Sequence, residues 1–199
     1  MLLVSLTGGI ATGKSRVARM LESLGCHVIH ADELGHQVLA PGGEAAGEVV
    51  ARFGTEILDT DGTINRRRLA ALVFDNAERL AALNNIVHPA VRARQQQIVE
   101  QIAASEPDAI IVVEAAIHIE TGNYRNFDKV ILAVCDEEEQ IRRAMARDGL
   151  SREEVVSRLR RQMPLSAKRE YADYVIDTTG DYENTLRQTR AVYNLLKSL

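Results

Sequence analysis

Unbroken apolar runs alternate along this chain with stretches where apolar residues recur every three or four positions, and the alternation divides it into elements. Leu2-Leu3-Val4-Ser5-Leu6 has the character of a short buried strand, after which Val17, Leu21 and Leu24 recur at helical spacing until Gly25 offers a stop. Cys26-His27-Val28-Ile29 reads as a second strand ending at His30-Ala31-Asp32, where a helix carrying Leu34, Val38 and Leu39 begins. Pro41-Gly42-Gly43 breaks the chain before a helical segment from Glu44 to Phe53; Asp59-Thr60-Asp61-Gly62 is a turn, and Asn65-Arg66-Arg67-Arg68-Leu69 opens another helix. Leu80, Leu83, Ile86 and Val87 continue a helical pattern to His88-Pro89. There the proline disfavours helix at His88 and is expected to open a separate helix, Ala90 to about Ala104. Three further strands follow: Ala109 to Val113 ending at Glu114, Lys129 to Val134, and Ala172 to Asp177. A last helix from about Asp181 is expected to bury Tyr182, Leu186, Tyr193 and Leu196.

Uninterrupted apolar strands are those of a parallel sheet covered on both faces. The pattern therefore predicts a three-layer α/β/α fold around a five-stranded parallel sheet, which the glycine-rich loop described below assigns to the P-loop class. No strand alternates with helix between residues 40 and 105, so that block reads as a helical insertion forming a separate wall of the cleft. At 199 residues a single domain is expected, with a core of about 1–40, 105–141 and 170–199, the insertion at about 41–104 and a second insertion at about 142–169. Repeats, low-complexity segments and interdomain linkers are absent.

The turn after the first strand carries the chemistry. Gly8-Gly9-Ile10-Ala11-Thr12-Gly13-Lys14-Ser15 fits G-x-x-x-x-G-K-[ST], a loop whose backbone N–H groups cradle phosphates while the Lys neutralises the β- and γ-phosphates and the Ser hydroxyl reaches Mg²⁺. It joins a strand to a helix, and a helix N-terminus adds its own attraction for anions. Candidate nucleotide contacts are Gly8, Gly9, Ala11, Thr12, Gly13, Lys14, Ser15 and Arg16, with Ser15 also the metal-facing group. Asp32 and Glu114 both follow strands at the carboxyl edge of the sheet, the edge that faces the crevice of an open parallel sheet. Asp32 has two readings, a site carboxylate or an N-cap. Glu114 likewise either holds Mg²⁺ through water or meets the acceptor, or it caps or pairs structurally.

Charge sharpens this picture in one place only. The net charge of −4 disfavours a general nucleic-acid binder, and no stretch approaches the length of a membrane span. Arg142, Arg143, Arg147, Arg152, Arg158, Arg160, Arg161, Lys168 and Arg169 lie close together, opposed inside the stretch only by Asp148, Glu153 and Glu154, and Ser151-Arg152-Glu153-Glu154 forms a capping box. A basic helical hairpin is what a mobile lid over a triphosphate needs. Cys26 and Cys135, each in or beside an apolar run, read as buried reduced thiols, and Met1 leads straight into the first strand, so a cytoplasmic protein is expected. A GTPase is disfavoured because no Asn-Lys-x-Asp base-reading motif accompanies the Asp59-x-x-Gly62 match.

Residues spread along the chain carry a more specific resemblance. Leu6-Thr7-Gly8-Gly9-Ile10 with Gly13-Lys14-Ser15, Val28-Ile29-His30-Ala31-Asp32, Asp61-Gly62-Thr63-Ile64-Asn65-Arg66 and His88-Pro89 resemble the dephospho-coenzyme A kinase family in order. So do Arg147-Asp148-Gly149-Leu150-Ser151, Arg158-x-x-x-Gln162-Met163-Pro164-Leu165 with Lys168, and Ala172-Asp173-Tyr174-Val175-Ile176-Asp177. The chain departs from the family's usual residues at Arg16, His30, Asn65, the Glu114-to-Glu120 run and Thr178.

The resemblance implies an adenylate-kinase-like core, an acceptor-binding helical region and a lid. It implies transfer of the ATP γ-phosphoryl to the ribose 3′-hydroxyl of dephospho-CoA, assisted by Mg²⁺. Asp32, Lys14 and Arg147 are then the candidate catalytic groups, with Arg147 also on ATP; Asp32, Arg66, His88 and Glu114 are candidates for the acceptor side. His88 also reads as a satisfied structural histidine, and the Arg66–68 run as a solvated face. A small-molecule enzyme, monomeric or weakly homo-oligomeric, is expected, against two alternatives: a P-loop kinase of another metabolite, such as a nucleoside monophosphate or sugar acid, or a nucleotide-dependent regulatory module.

Overall fold

Strands rich in Val, Ile and Leu are stable only where both faces are covered, and the fold provides that cover. The computed structural model describes residues 1–199. In chain order it runs β1 (Leu2–Gly8), α1 (Lys14–Ser23), β2 (His27–His30), α2 (Ala31–Val38), α3 (Ala46–Phe53), α4 (Arg66–Phe74) and α5 (Ala77–Ser105). It continues through β3 (Ile110–Glu114), β4 (Lys129–Val134), α6 (Glu137–Asp148), α7 (Arg152–Leu159), α8 (Leu165–Lys168), β5 (Tyr174–Asp177) and α9 (Tyr182–Lys197). The chain divides into two compact units, Met1–His30 with Ile102–Leu199, and Ala31–Gln101.

The first unit is a three-layer α/β structure. All five strands pair in parallel, in the order β2-β3-β1-β4-β5. Alternate residues of β1 serve opposite faces. Val4 and Leu6 enter a core with Val17, Ala18 and Leu21 of α1 and Val192 and Leu196 of α9. Ser5 and Thr7 point the other way, are buried, and are satisfied: Ser5 Oγ meets His118 Nδ1 at 2.7 Å and Thr7 Oγ1 donates to the Ala116 carbonyl. With β1 between β3 and β4, the strand order reverses there, which opens a crevice at the carboxyl end of β1.

The helix closing the chain presents a different face from the one its aromatics suggest. Thr185, Thr189, Val192 and Leu196 are buried, whereas Tyr182 is 54% exposed. Two threonines tolerate that position because their hydroxyls donate to carbonyls one turn back, Thr185 to Asp181 and Thr189 to Thr185. β5 starts two residues later than its apolar run, since Asp173 accepts instead from the Val130 N–H at 2.8 Å. The Ser151 capping box is formed, and Cys26 and Cys135 are both buried free thiols.

The second unit packs α2, α3, α4 and the first part of α5 around Val38, Val49, Phe53, Ile57, Leu69 and Val73. The turn at Asp59–Gly62 closes with Gly62 N–H donating to Asp59. One expectation fails here: the helix does not restart at Pro89 but runs unbroken over 29 residues, with the proline inside it. Pro89 lacks the N–H that would bond the carbonyl one turn earlier, a defect of about 3 kcal/mol in a helix interior. Leu83, Ile86, Val87, Ala90 and Val91 form one apolar stripe spanning it, all packed on the same core, and at roughly 0.8 kcal/mol per buried methylene their burial outweighs the break.

Burial of His118 gives the first unit an acid-sensitive point. It stacks on Phe127 at 4.8 Å between ring centres, and loss of hydration pushes its pKa down to about 4. Between pH 6.5 and about 4 the unfolded chain takes up a proton there that the folded chain refuses, so stability falls as pH falls, by up to about 1.4 kcal/mol per unit, and is unaffected by this group above that window. Urea unfolding across pH 4 to 7 should show a flatter slope in His118→Gln, which keeps a partner for Ser5 but does not titrate; an unchanged slope would remove His118 as the cause.

Candidate active site

A loop that binds polyanions has to turn its carbonyl oxygens away from the ligand, and each oxygen then needs a donor within the protein. From Gly8 to Gly13 every one has a donor. The Gly8 oxygen accepts from Lys168 Nζ at 3.0 Å, Gly9 from Lys14 Nζ at 2.8 Å and Thr12 Oγ1 at 3.1 Å, and Ile10 from Gln140 Nε2 at 2.7 Å. Ala11 receives the weak Sγ–H of Cys135 at 3.9 Å, Thr12 the hydroxyl of Thr178 at 2.7 Å, and Gly13 the first N–H groups of α1. Local backbone helps. Ala11 is the sole non-glycine residue with positive φ, at 53°, and Gly13 follows at 81°, where a Cβ would lie 2.9 Å from Thr178 Oγ1.

Outside this ring lies a second set of charges. Arg143 donates to Thr178 through both its hydroxyl, at 3.0 Å, and its carbonyl, at 2.6 Å, and to Glu139 at 2.7 Å. Hydrogen bonds from Arg142 and Arg143 push the Glu139 carboxyl down to about 2, so it is ionised at neutral pH. Lys168 is fully buried and also donates to the Ala116 carbonyl, at 3.1 Å, and to Glu120, at 2.7 Å. The loop residues Gly8, Gly9, Ala11, Thr12, Gly13, Lys14, Ser15 and Arg16 are thus gathered at the carboxyl end of β1 and the start of α1.

Glu114, at the end of β3, joins them. Its Oε1 accepts from Ser15 Oγ at 2.8 Å and its Oε2 meets His30 Nδ1 at 2.6 Å. The exposed Ser15 hydroxyl and this carboxylate form a pair of hard oxygens, the donor type that suits a Mg²⁺ completing its shell from phosphates and water. No cluster of three or more His, Cys, Asp or Glu side chains is placed to hold a metal unaided.

The other sequence candidates are placed as follows. Arg147 sits in the last turn of α6, its guanidinium forked onto Asp148 at 2.7 and 2.9 Å. Asp32 and Arg66 belong to the second unit, in the first turns of α2 and α4; Asp32 is inside its helix rather than its cap. His88, midway along α5 in the same unit, is half-buried, and burial together with Arg92 holds its pKa below the ordinary histidine value.

The basic run is less unopposed than its sequence suggests. Arg152 pairs with Glu138, and Arg142 and Arg143 with Glu139, carboxylates lying one turn before the run begins. Sequence reasoning assigned none of the outer partners a role in holding the loop. Gln140 carries no signal in a helix of mixed polarity, whereas Gln162 and Lys168 stand within the Arg158-to-Lys168 motif, where a role was available to be found.

Comparison with known proteins agrees along the chain. A family model described as dephospho-CoA kinase matches residues 2–184. The chain is 41% identical over 187 residues to a dephospho-CoA kinase of Halalkalibacterium halodurans, covering 94% of this chain and 92% of that one. It is 42% identical over 191 residues to a dephospho-CoA kinase of Geobacillus kaustophilus, covering 96% and 94%. A solved Thermus thermophilus protein superposes with a TM-score of 0.84 at 35% identity, covering 100% of this chain and 97% of that one. The Campylobacter jejuni dephospho-CoA kinase gives 0.66 at 29% identity, covering 99% and 98%.

Replacing Lys168 with Met removes three charge-assisted hydrogen bonds and deprives Glu120 of its cation. Lys168→Met is expected to lower the unfolding free energy by at least about 2 kcal/mol, read from urea titration. A loss below about 0.5 kcal/mol would mean that the buried ammonium contributes nothing net, as some buried pairs do.

Proposed function

The chain belongs to the dephospho-CoA kinase family, ATP-dependent phosphotransferases that make coenzyme A in its last biosynthetic step, and on that premise we propose how its own residues divide the work. The observation that carries the proposal is the carbonyl ring of residues 8–13, in which every oxygen is paired with a donor, the arrangement a phosphate-binding loop requires.

In the proposed mechanism the loop peptides hold the triphosphate of ATP. Lys14, which rests on the Gly9 carbonyl, swings to the β- and γ-phosphates, an exchange of one oxygen acceptor for a stronger, charged one. Phosphoryl transfer passes through a loose transition state, so alignment and charge neutralisation do most of the work. Ser15, with Glu114 behind it, would hold Mg²⁺, which supplies further neutralisation of the phosphate oxygens when bound. Arg147, released from Asp148, adds a second cation.

Asp32 accepts the hydrogen bond of the acceptor's ribose 3′-hydroxyl. An ordinary Asp is a weak base for an alcohol, so its first task is orientation and its second is to take the proton late, as the bond to phosphorus forms. Arg66 would meet an anionic group of the acceptor. His88, neutral at pH 7 because burial and Arg92 depress its pKa, would hydrogen-bond rather than pair as a cation. The net charge of −4 favours small-molecule substrates over nucleic acid, and the two buried thiols favour a reducing, cytoplasmic setting; a monomer or weak homo-oligomer suffices for this chemistry. No helix is long and apolar enough to cross a membrane.

ADP release assayed against a panel of dephospho-CoA, nucleoside monophosphates and sugar acids should show dephospho-CoA as the preferred acceptor; preference for another would overturn the acceptor assignment. Lys14→Ala should abolish transfer while the circular dichroism spectrum is kept. Asp32→Asn should keep ATP binding and lose at least about 10²-fold in kcat, the low end for a general base, and near-normal turnover would take Asp32 out of the mechanism.

A further inference from the structure

Ile10 is held differently from every other residue of the loop. Among residues 9–13 it alone has its N–H bonded to a side chain, donating to Gln162 Oε1 at 2.9 Å, while its carbonyl accepts from Gln140 Nε2 at 2.7 Å. Its apolar side chain packs with Ala11 on Ile141, Ala144 and Val155, the core of the α6–α7 hairpin. All three parts of one residue are therefore fixed to the same arginine-bearing hairpin and the turn that follows it. Gly9 completes the fit, because a Cβ there would lie 2.7 Å from Gln140 Nε2.

The two glutamines are suited to this task. Gln140 is buried and rises from the second turn of α6, its own N–H tied to Asp136. Gln162 follows α7, with its N–H bonded to the Leu159 carbonyl. One supplies a donor and the other an acceptor, matching the two polar groups of Ile10. A charged residue at either place would add a charge beside the triphosphate; an amide grips the backbone without doing so.

We propose that Gln140 and Gln162 are positioning residues for ATP, acting as a pair on Ile10 to hold the phosphate loop in its binding shape. The proposal rests on the loop being the ATP site, and it assigns the pair no part in acceptor binding or in the transfer step. Loss of either amide lets the adjacent peptides rotate, so that binding ATP has to re-order them. The penalty falls on ATP affinity and leaves the acceptor's affinity untouched. Because both act on one residue, the second loss costs less than the first.

Gln140→Met, Gln162→Met and the double variant, each close in volume to the original, test this. Binding of ATP with Mg²⁺ is measured by isothermal titration calorimetry, KM for both substrates by ADP release, and integrity by thermal melting. Each single variant should weaken ATP binding about fivefold to tenfold, the scale of one hydrogen bond, with the same rise in KM for ATP and with KM for dephospho-CoA within about twofold. The double variant should fall short of the product of the singles. A purely structural role would lower the melting temperature and the active fraction without separating the two KM values, and that result overturns the proposal. So do unchanged ATP binding in both singles and fully multiplicative effects. If wild type binds ATP but shows no turnover with dephospho-CoA, the acceptor assignment fails, and the calorimetry still decides the role of the pair. Gln162, half-buried in a turn, keeps the test open should the buried Gln140 variant fold poorly.

Discussion

The orientation of six peptide carbonyls, Gly8 to Gly13, is the constraint on which the rest of the structure depends. A backbone turn can present N–H groups to a polyanion only if its oxygens are occupied elsewhere, since an unpaired buried carbonyl costs about as much as a lost hydrogen bond. The loop supplies two donors from within itself, Thr12 and Lys14, and α1 supplies those for Gly13. Every other donor is brought from the far half of the chain: Cys135, Gln140, Lys168 and Thr178.

That requirement gives the sheet order a purpose beyond burial. Placing β4 beside β1 sets Cys135 and α6 next to the loop, and placing β5 beyond β4 brings in Thr178 immediately after the strand ends. Placing β3 on the other side of β1 brings Glu114 to Ser15 and carries the following segment, with Ala116 and Glu120, under Lys168. Parallel strands all present their carboxyl ends at one edge, so each connection leaving that edge is able to contribute a side chain to the same turn.

The sequence makes the strands, the loop and the family legible because each depends on local pattern. Val, Ile and Leu runs mark β3 and β4, and the eight loop residues are contiguous. What stays hidden is non-local. Nothing around Gln140 announces that its amide will meet Ile10, 130 residues away. Pro89 misleads in the other direction: as local punctuation it ends a helix, and only the continuous stripe from Leu83 to Val91 on a tertiary core overrides it. In α9 the tyrosines look like the better apolar face, yet two threonines with satisfied hydroxyls take that place. The charge of the 142–169 stretch is misjudged for a similar reason, as its counter-ions Glu138 and Glu139 lie just outside the window.

Each outer hydrogen bond also acts across the peptide that receives it. The oxygen of residue 12 and the N–H of Gly13 belong to one amide group, so the Thr178 hydroxyl, itself polarised by Arg143, draws electron density toward that oxygen and leaves the Gly13 N–H a more acidic donor. Lys168 does the same to the Gly9 N–H through the Gly8 oxygen, with a full positive charge, and Gln140 to the Ala11 N–H through Ile10. Side chains on the outer side of the loop therefore set how strongly its inner N–H groups can donate.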